Sequence, residues 1–163
     1  MDRSGTGEII VIRLAMPAEH DMLEALLERA SLANESDREA LLAHPDEMSL
    51  PIAQIQSGQV IVADAAGTLV GFASVVFRQD GDVELDGLFV EPSEWRKGVG
   101  RMLVEACKAF TRGVGARALC VASSREAEGF YHACGFATLG PEETLFGQGV
   151  RLEFRLQQEK DRT

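Results

Sequence analysis

The sequence predicts a mixed α/β (α+β) fold, in which a mostly antiparallel central sheet of about six or seven strands carries helices on both faces. The order of the predicted elements supports this prediction. Runs of β-branched residues alternate with stretches of helical periodicity in the order β-α-α-β-β-β-α-β-α-β-β. No repeat, low-complexity segment or linker interrupts this series, so residues 1–163 are predicted to form a single domain.

The first predicted elements are one strand and two helices. Residues 8–14, EIIVIRL, are rich in β-branched side chains and predict the strand. Pro17 opens the first helix. Its apolar residues recur at helical spacing: Met22, Leu23, Leu26, Leu27 and Ala30. Ser36-x-x-Glu39 has the form of a capping box and predicts a second helix, which ends at His44-Pro45.

A meander of three strands is predicted next, at residues 60–65, 69–77 and 83–90. Turn signals at Ala66-Gly67 and Asp80-Gly81 separate these strands. Gly87 interrupts the alternation of the third strand and predicts a β-bulge there.

An amphipathic helix is predicted to begin at Val99 and to end near Gly113 or Gly115. The remaining predicted elements are a strand at 116–123, a helix at 125–133, and strands at 136–139 and 150–157. Loops are predicted around Gly140-Pro141 and at 147–149, because glycine and proline favour turns over strands.

The charge balance excludes several classes of partner. Acidic residues outnumber basic ones by 26 to 16, which gives a formal net charge of −10. Without a compensating basic stripe, this balance argues against binding to nucleic acid or to an anionic membrane. The longest uncharged run, residues 48–63, contains Pro51 and three glutamines, so it is not a membrane-spanning segment.

The cysteines indicate the compartment. Cys107, Cys120 and Cys134 are too few and too scattered for a disulfide framework or a cysteine-rich metal site, so no metal is predicted. An odd number of cysteines suits a reducing environment. The first ten residues, MDRSGTGEII, lack the basic and apolar regions of a signal peptide, and a cytoplasmic location is expected.

Residues 91–106, EPSEWRKGVGRMLVEA, lead from a strand through a cationic loop into a helix. Gly98 and Gly100 let the backbone turn its N–H groups outward without interference from a Cβ atom. These groups and the helix dipole favour an anion. Three cations stand at or before the helix start, namely Arg96, Lys97 and Arg101, where they are unfavourable unless an anion binds. The segment predicts an anion site, with a loop of solvated charges as the alternative.

Two nucleotide-binding motifs do not fit this loop. A Walker loop needs Gly-Lys followed by Ser or Thr, and Arg101-Met102 stands in that place. A Rossmann fingerprint needs three glycines early in a βαβ unit, whereas only Gly98-x-Gly100 is present.

Two stretches, LFVEPSEWRKGVGRMLVEA (88–106) and VASSREAEGFYHACGF (121–136), resemble the GCN5-related N-acetyltransferase (GNAT) superfamily. Its first signature is Gln/Arg-x-x-Gly-x-Gly/Ala at a helix start, and residues 95–100 match it except that Trp95 replaces Gln or Arg. Its second signature is a helix that carries Phe-Tyr and is followed by Gly-Phe, here Phe130-Tyr131 and Gly135-Phe136. The resemblance is strongest over residues 84–136.

The resemblance implies acetyl-CoA as co-substrate. The backbone of the loop would cradle its pyrophosphate, which gives the candidates Arg96, Lys97, Gly98, Val99, Gly100 and Arg101. The backbone of the preceding strand would pair with the pantetheine arm through Leu88, Phe89 and Val90. Ser124 stands where the second signature often has Asn, so a further pantetheine contact falls to Ser124 or equally to Ser123.

The resemblance also implies catalytic roles. Tyr131, the only tyrosine of the chain, occupies the general-acid position and would protonate the departing thiolate. Glu84 aligns with the strand glutamate that serves as base in the histone-acetylating branch. Asp86 lies two residues further on the same strand face, and Glu91 is a third candidate. The alternative for Tyr131 is a structural role, packed on the sheet. The alternative for the acids is a position at the strand end, exposed to solvent.

These expectations describe an acetyl-CoA-dependent N-acetyltransferase that acts on a primary amine by direct attack in a ternary complex. The alternatives are a non-catalytic acyl-CoA-binding or regulatory module and a protein N-terminal or lysine acetyltransferase. A homodimer is left open by the resemblance. Acids near the first helix, namely Glu19, Asp21, Glu24 and Glu28, are predicted to form a solvated face, with attraction of a cationic substrate as the alternative.

Overall fold

A computed structural model of the chain describes residues 9–156. Seven strands are hydrogen-bonded within this range: β1 (Ile10–Leu14), β2 (Val60–Ala65), β3 (Thr68–Phe77), β4 (Val83–Val90), β5 (Ala118–Ser123), β6 (Ala137–Thr144) and β7 (Gly147–Arg155). Their order in the sheet is β1-β2-β3-β4-β5-β7-β6. The pairs β1–β2, β2–β3, β5–β7 and β7–β6 are antiparallel, and β4–β5 is parallel. This mixed, mostly antiparallel sheet confirms the predicted fold class.

Within residues 9–156, five α-helices lie between these strands in the sequence: α1 (His20–Leu32), α2 (Glu35–Ala43), α3 (Ile52–Gln56), α4 (Val99–Gly113) and α5 (Glu128–Ala133). Short 3-10 turns at Pro17–Glu19, Pro45–Met48 and Pro92–Glu94 each begin with proline. Proline favours a first helical position because its fixed φ is already helical and its missing N–H would have no partner there.

The three-strand meander is confirmed, because its turn residues adopt the required backbone conformation. Ala66 and Gly67 have φ values of 55° and 94°, as a tight hairpin turn with two left-handed positions needs. Gly81, in the second turn, has a φ of 93°. The bulge at Gly87 stays a prediction. A Cβ atom at that glycine would lie 2.6 Å from the Phe89 ring, so it permits a close approach.

Three predictions about local structure are wrong. Glu35 is already helical, so Ser36 lies inside α2 and does not begin it as the residue of a capping box. Helix α5 begins at Glu128 and not at Arg125, since residues 125–127 form turns. The predicted loops at 140–141 and 147–149 belong to β6 and β7, which pair around a turn at Leu145-Phe146. A register shift between Thr138 and Gly140 accommodates the glycine within the ladder.

Contacts divide the chain into two compact units. One contains residues 9–74 and Gly87–Leu103, and the other contains Val75–Asp86 and residues 104–156. The single domain predicted for residues 1–163 stays a prediction.

The first unit has a core around α1. Ten buried residues form it: Ala15, Leu23, Leu26, Leu27, Ala30, Leu50, Ile55, Val60, Val62 and Phe72. Burial of each large side chain contributes about 1.5–3 kcal/mol to folding. The helical spacing predicted for α1 is confirmed at four of its five apolar positions, whereas Met22 is exposed.

The acids near α1 differ from the predicted solvated face. Glu19 is buried, and its carboxylate accepts two hydrogen bonds from the Arg13 guanidinium and one from the Met16 N–H. Glu24 accepts a hydrogen bond from the backbone N–H of Leu50. Asp21 and Glu28 are exposed, as predicted.

Within residues 9–156, no helix is long and apolar enough to cross a membrane. The same part of the chain has no group of three or more His, Cys, Asp or Glu side chains arranged to hold a metal ion.

Candidate active site

The loop that precedes α4 lies in the first unit and is held at both ends by hydrogen bonds. The indole Nε1 of Trp95 donates to the carbonyl oxygen of Val90, where β4 ends, at 2.8 Å. At the other end, the N–H of Met102 donates to the carbonyl oxygen of Gly98 at 3.1 Å and begins the helical ladder. Two residues between these points have left-handed backbone, Arg96 with a φ of 67° and Gly98 with a φ of 91°.

The start of α4 presents backbone donors and positive side chains. The N–H groups of Val99, Gly100 and Arg101 precede the first helical hydrogen bond, so they have no acceptor within the helix. The side chains of all three predicted cations, Arg96, Lys97 and Arg101, are exposed. Val99 is buried and fixes the helix start against the unit. Exposed cations beside backbone donors that have no acceptor within the helix can bind an anion with two neighbouring phosphates.

Gly71 of β3 was not singled out from the sequence, yet it supports this loop. A Cβ atom there would lie 3.0 Å from the carbonyl oxygen of Phe89 and 3.2 Å from the side chains of Val99 and Leu103. Only glycine lets β3 approach both the end of β4 and the first turns of α4 so closely. The glycine within the predicted strand at 69–77 was the feature of the sequence that could have indicated this close approach.

Arg29 of α1 forms a bidentate ion pair with Glu91, the residue that follows β4. Its Nε and Nη2 donate to Oε1 and Oε2 at 2.8 and 2.7 Å. The guanidinium holds the pKa of the Glu91 carboxyl below its usual range. Glu91, the third candidate for the base, is therefore held as an ionised partner of α1.

Tyr131 lies in the second unit, on α5, and is buried. Its ring makes edge-on contacts with Phe130 and Phe136, with ring centroids at 5.0 and 5.4 Å. No hydrogen bond joins its hydroxyl to another residue within 9–156. Burial raises the pKa of the phenol above its usual range. The side chain thus combines a fixed ring with a protonated hydroxyl.

Glu84 also lies in the second unit and is part of an ion-pair network that the sequence did not predict. Its Oε1 accepts a hydrogen bond from Arg78 at 2.9 Å and another from Arg151 at 3.5 Å. Arg151 also donates to Glu142 at 3.1 Å. Asp86 is exposed and follows Glu84 on the same face of β4, since the residues between and before them, Leu85 and Val83, are buried.

The two serine candidates follow each other at the end of β5. Ser123 is buried, and its hydroxyl donates to the carbonyl oxygen of Ser124 at 2.9 Å. The Ser124 hydroxyl accepts a hydrogen bond from the N–H of Ala127 at 3.3 Å. A Cβ atom at Gly149 of β7 would collide with the Ser123 carbonyl oxygen, so this glycine sets the distance between the strands.

Pairing of β4 with β5 covers Val83–Leu85 and Leu119–Val121, although β4 continues to Val90. The backbone of the three predicted pantetheine residues, Leu88, Phe89 and Val90, lies in this continuation. Phe89 packs on Phe72 with ring centroids 5.2 Å apart, which anchors the strand end in the first unit.

Comparisons with known proteins show the family to which the chain belongs. The Acetyltransferase (GNAT) family matches residues 24–136, which is more than half of the chain. Over 102 residues the chain is 34% identical to the aminoglycoside N(6')-acetyltransferase type 1 of Stenotrophomonas maltophilia, a match that covers 56% of this chain and 67% of that protein.

Solved structures share the fold at lower identity. The PaiA N-acetyltransferase of Thermoplasma acidophilum, in complex with coenzyme A, has a TM-score of 0.71 and 20% identity, covering 91% of this chain and 99% of that chain. YncA of Salmonella typhimurium, with its cofactor acetyl-CoA, has a TM-score of 0.69 and 19% identity, covering 93% and 96% of the two chains. The chain belongs to the acetyltransferase (GNAT) family, which confirms the fold and the class of enzyme that its sequence predicts.

Proposed function

We propose that the chain is an acetyl-CoA-dependent N-acetyltransferase that transfers the acetyl group to a primary amine by direct attack in a ternary complex. The loop at the start of α4 carries this proposal. It exposes three cations beside backbone donors that have no acceptor within the helix, in a chain whose net charge is −10. Positive charge concentrated at one helix start favours an anionic ligand, and coenzyme A has a pyrophosphate of this kind.

Each binding role rests on the local geometry of the residues that would carry it. The N–H groups of residues 98–101 bind the pyrophosphate, and Arg96, Lys97 and Arg101 neutralise its charge. The backbone of residues 88–90 pairs with the pantetheine arm. A hydroxyl of Ser123 or Ser124 adds a contact to that arm. The Ser124 hydroxyl oxygen accepts a hydrogen bond from Ala127, and its O–H can still donate to the arm.

Acetyl-CoA supplies an activated acyl group as a thioester. When the amine nitrogen bonds to the acyl carbon and the carbon–sulfur bond breaks, the hydroxyl of Tyr131 donates its proton to the leaving sulfur. Burial of Tyr131 keeps the phenol protonated until this step, because a buried phenolate is destabilised. Solvent then restores the proton of Tyr131.

A primary ammonium has a pKa of about 10, so it must lose a proton before it attacks. We assign this step to Glu84, with Asp86 on the same strand face as the alternative. The guanidinium groups of Arg78 and Arg151 both bind Oε1 of Glu84 and fix the carboxylate in one orientation. Its second oxygen accepts the proton through a water molecule.

A cationic amine is the acceptor class that we favour. The relative from Stenotrophomonas maltophilia is named as an aminoglycoside N(6')-acetyltransferase, and aminoglycosides are polycationic amines. The net charge of −10 supports attraction of such molecules over phosphorylated acceptors.

The proposal is tested by release of the free thiol of CoA from acetyl-CoA, measured with aminoglycosides, polyamines, amino acids, arylamines and short peptides. We expect release with at least one polycationic amine. The fluorescence of Trp95, the only tryptophan, reports acetyl-CoA binding to the loop independently of turnover. Tyr131→Phe should lower kcat by about a hundredfold and leave acetyl-CoA binding intact.

Other outcomes would redirect the proposal. Binding without thiol release from any small amine, together with acetylated proteins in a treated lysate, would indicate a protein N-terminal or lysine acetyltransferase. Binding without any acetylated product would indicate a non-catalytic acyl-CoA module. Absence of acetyl-CoA binding would contradict the role of the loop itself.

A further inference from the structure

Lys108 is a charged residue in the interior of the second unit that the proposed chemistry does not use. It lies on α4 and is 7% exposed. Its ammonium donates hydrogen bonds to Oε2 of Glu105 at 2.8 Å and to the backbone carbonyl oxygen of Cys134. It also lies 4.0 Å from the centre of the Phe154 ring. A buried ammonium is costly unless it is paired, and here a carboxylate, a carbonyl oxygen and a π face contact it.

The contacts of Lys108 lead directly to Tyr131. The carbonyl group that it binds belongs to Cys134, the residue that ends α5. The N–H of Cys134 and the N–H of Phe136 both donate to the backbone carbonyl oxygen of Tyr131, each at 3.0 Å. The position of the Tyr131 backbone is therefore tied to the segment that Lys108 holds.

The aromatic contacts form a second connection. The ring of Phe136 lies 5.4 Å from Tyr131 and 5.8 Å from Phe154. Lys108 lies over Phe154 and 6.0 Å from the centre of Phe136. The Lys108 ammonium thus contacts both the backbone segment and the pair of rings, Phe136 and Phe154, that position the Tyr131 side chain.

Gly135 makes this arrangement possible. It has a φ of 97°, as the left-handed residue after a helix does. A Cβ atom at Gly135 would lie 3.2 Å from Cε1 of Phe154 and 3.8 Å from Nζ of Lys108. The Gly-Phe pair therefore leaves space for the lysine beside the end of α5.

We propose that Lys108 is a positioning residue for Tyr131, because its ammonium ties the carboxyl end of α5 and the Phe136–Phe154 ring pair to α4. It touches no reacting atom and acts by fixing the phenol hydroxyl. A positive charge at this end of a helix is also favourable to the helix dipole. The inference rests on the proposed role of Tyr131 in protonating the thiolate.

The test is a double-mutant cycle on kcat with acetyl-CoA and the best acceptor amine. Lys108→Met keeps the length and apolar stem but leaves the Cys134 carbonyl without its donor. We expect kcat to fall by about tenfold to a hundredfold, as a misplaced catalytic group produces, and KM for acetyl-CoA to change by less than about twofold. In the Tyr131→Phe background the same substitution should have no further effect, since the hydroxyl that it misplaces is gone.

Three variants complete the design. Lys108→Arg, which retains charge and donors, should restore most of kcat. Arg112→Met removes an exposed cation from the same helix and should leave kcat unchanged. If Lys108→Met does not fold, Phe154→Leu removes the π face and its contact with the Phe136 ring but keeps the ammonium, and it enters the same cycle.

The outcomes separate the two proposals. An equal loss of kcat from Lys108→Met with and without the Tyr131 hydroxyl would overturn the positioning role and leave Tyr131 as the acid. No loss of kcat in either background would also overturn it. Full kcat in Tyr131→Phe alone would remove the general acid from the proposed function, and the positioning inference with it.

Discussion

The indole of Trp95 and the carbonyl oxygen of Val90 are joined by a 2.8 Å hydrogen bond that closes the loop between β4 and α4. The indole of Trp95 is thus a side-chain donor at the position that precedes the cationic residues of the loop. The bond fixes the path into Arg96, whose left-handed backbone is unusual for a non-glycine residue. The loop is thereby pre-organised before its ligand binds.

Trp95→Phe removes that donor and retains an aromatic ring. We expect the Kd for coenzyme A to rise by about twofold to tenfold, which corresponds to one hydrogen bond, with kcat at saturating acetyl-CoA unchanged. Isothermal titration calorimetry measures the change without the lost fluorophore. Trp95→Gln, which retains a side-chain donor, should have a Kd between those of the parent and Trp95→Phe. A Kd equal to that of the parent would show that the bond does not organise the loop.

Gly98→Ala should weaken coenzyme A binding and stability together. The φ of 91° at Gly98 costs a side chain about 1–2 kcal/mol, although nothing lies within 4 Å of its Cβ position. The matched control is Gly113→Ala at the end of the same helix, which also has open space around its Cβ position but no positive φ. It should leave binding unchanged and preserve or raise the melting temperature. Equal effects of both substitutions would contradict an origin in the backbone conformation of Gly98.

Glu84→Gln tests the assignment of the base. An amide cannot accept the proton of an ammonium, so kcat should fall by about a hundredfold or more at neutral pH. The loss should shrink toward high pH, where more of the amine is already neutral. Glu142→Gln is the control, because Glu142 binds the same Arg151 without being a candidate for the base. If both substitutions lower kcat equally, the ion-pair network matters and Glu84 is not the base.

The parts of the site that could be predicted from the sequence depend on neighbouring residues. The tight turn at Ala66-Gly67 and the turn residues before residues 83–90 depend on the backbone preferences of a few adjacent residues. The sequence therefore predicts the limits of β2, β3 and β4 closely. The cationic loop likewise shows its glycines and charges within residues 95–101. Such features depend on adjacent residues, so they can be predicted from the sequence.

The partners of the candidate residues depend on the fold and could not be predicted. Arg29 and Glu91 are 62 residues apart in sequence, and Arg151 and Glu84 are 67 apart. No periodicity relates such positions. The sequence predicts a loop at Gly149 because glycine favours turns over strands, but in β7 this glycine allows close approach to the Ser123 carbonyl oxygen. Tertiary packing overrode the local preference there.

Glu19 gives the chain a pH-dependent contribution to stability. Its buried carboxylate binds Arg13 at 2.6 Å, and hydrogen bonds from this guanidinium hold its pKa below the usual range. A carboxyl whose pKa is lowered by folding stabilises the folded state above its unfolded pKa, and this contribution is lost as pH falls through the folded value. Glu19→Gln should therefore lower the free energy of unfolding by about 1–3 kcal/mol at pH 7. The difference from the parent should shrink from about pH 5 downward.

Urea denaturation from pH 7 to pH 3 measures this difference, with Glu28→Gln as the matched control. Glu28 is an exposed glutamate of α1, so its substitution should change stability by less than about 0.5 kcal/mol at every pH. A pH-independent deficit in Glu19→Gln would indicate lost packing. A deficit that vanishes in acid identifies the ionised carboxylate between Arg13 and the Met16 N–H as the stabilising group, because protonation removes the charge that pairs with Arg13 and weakens both hydrogen bonds.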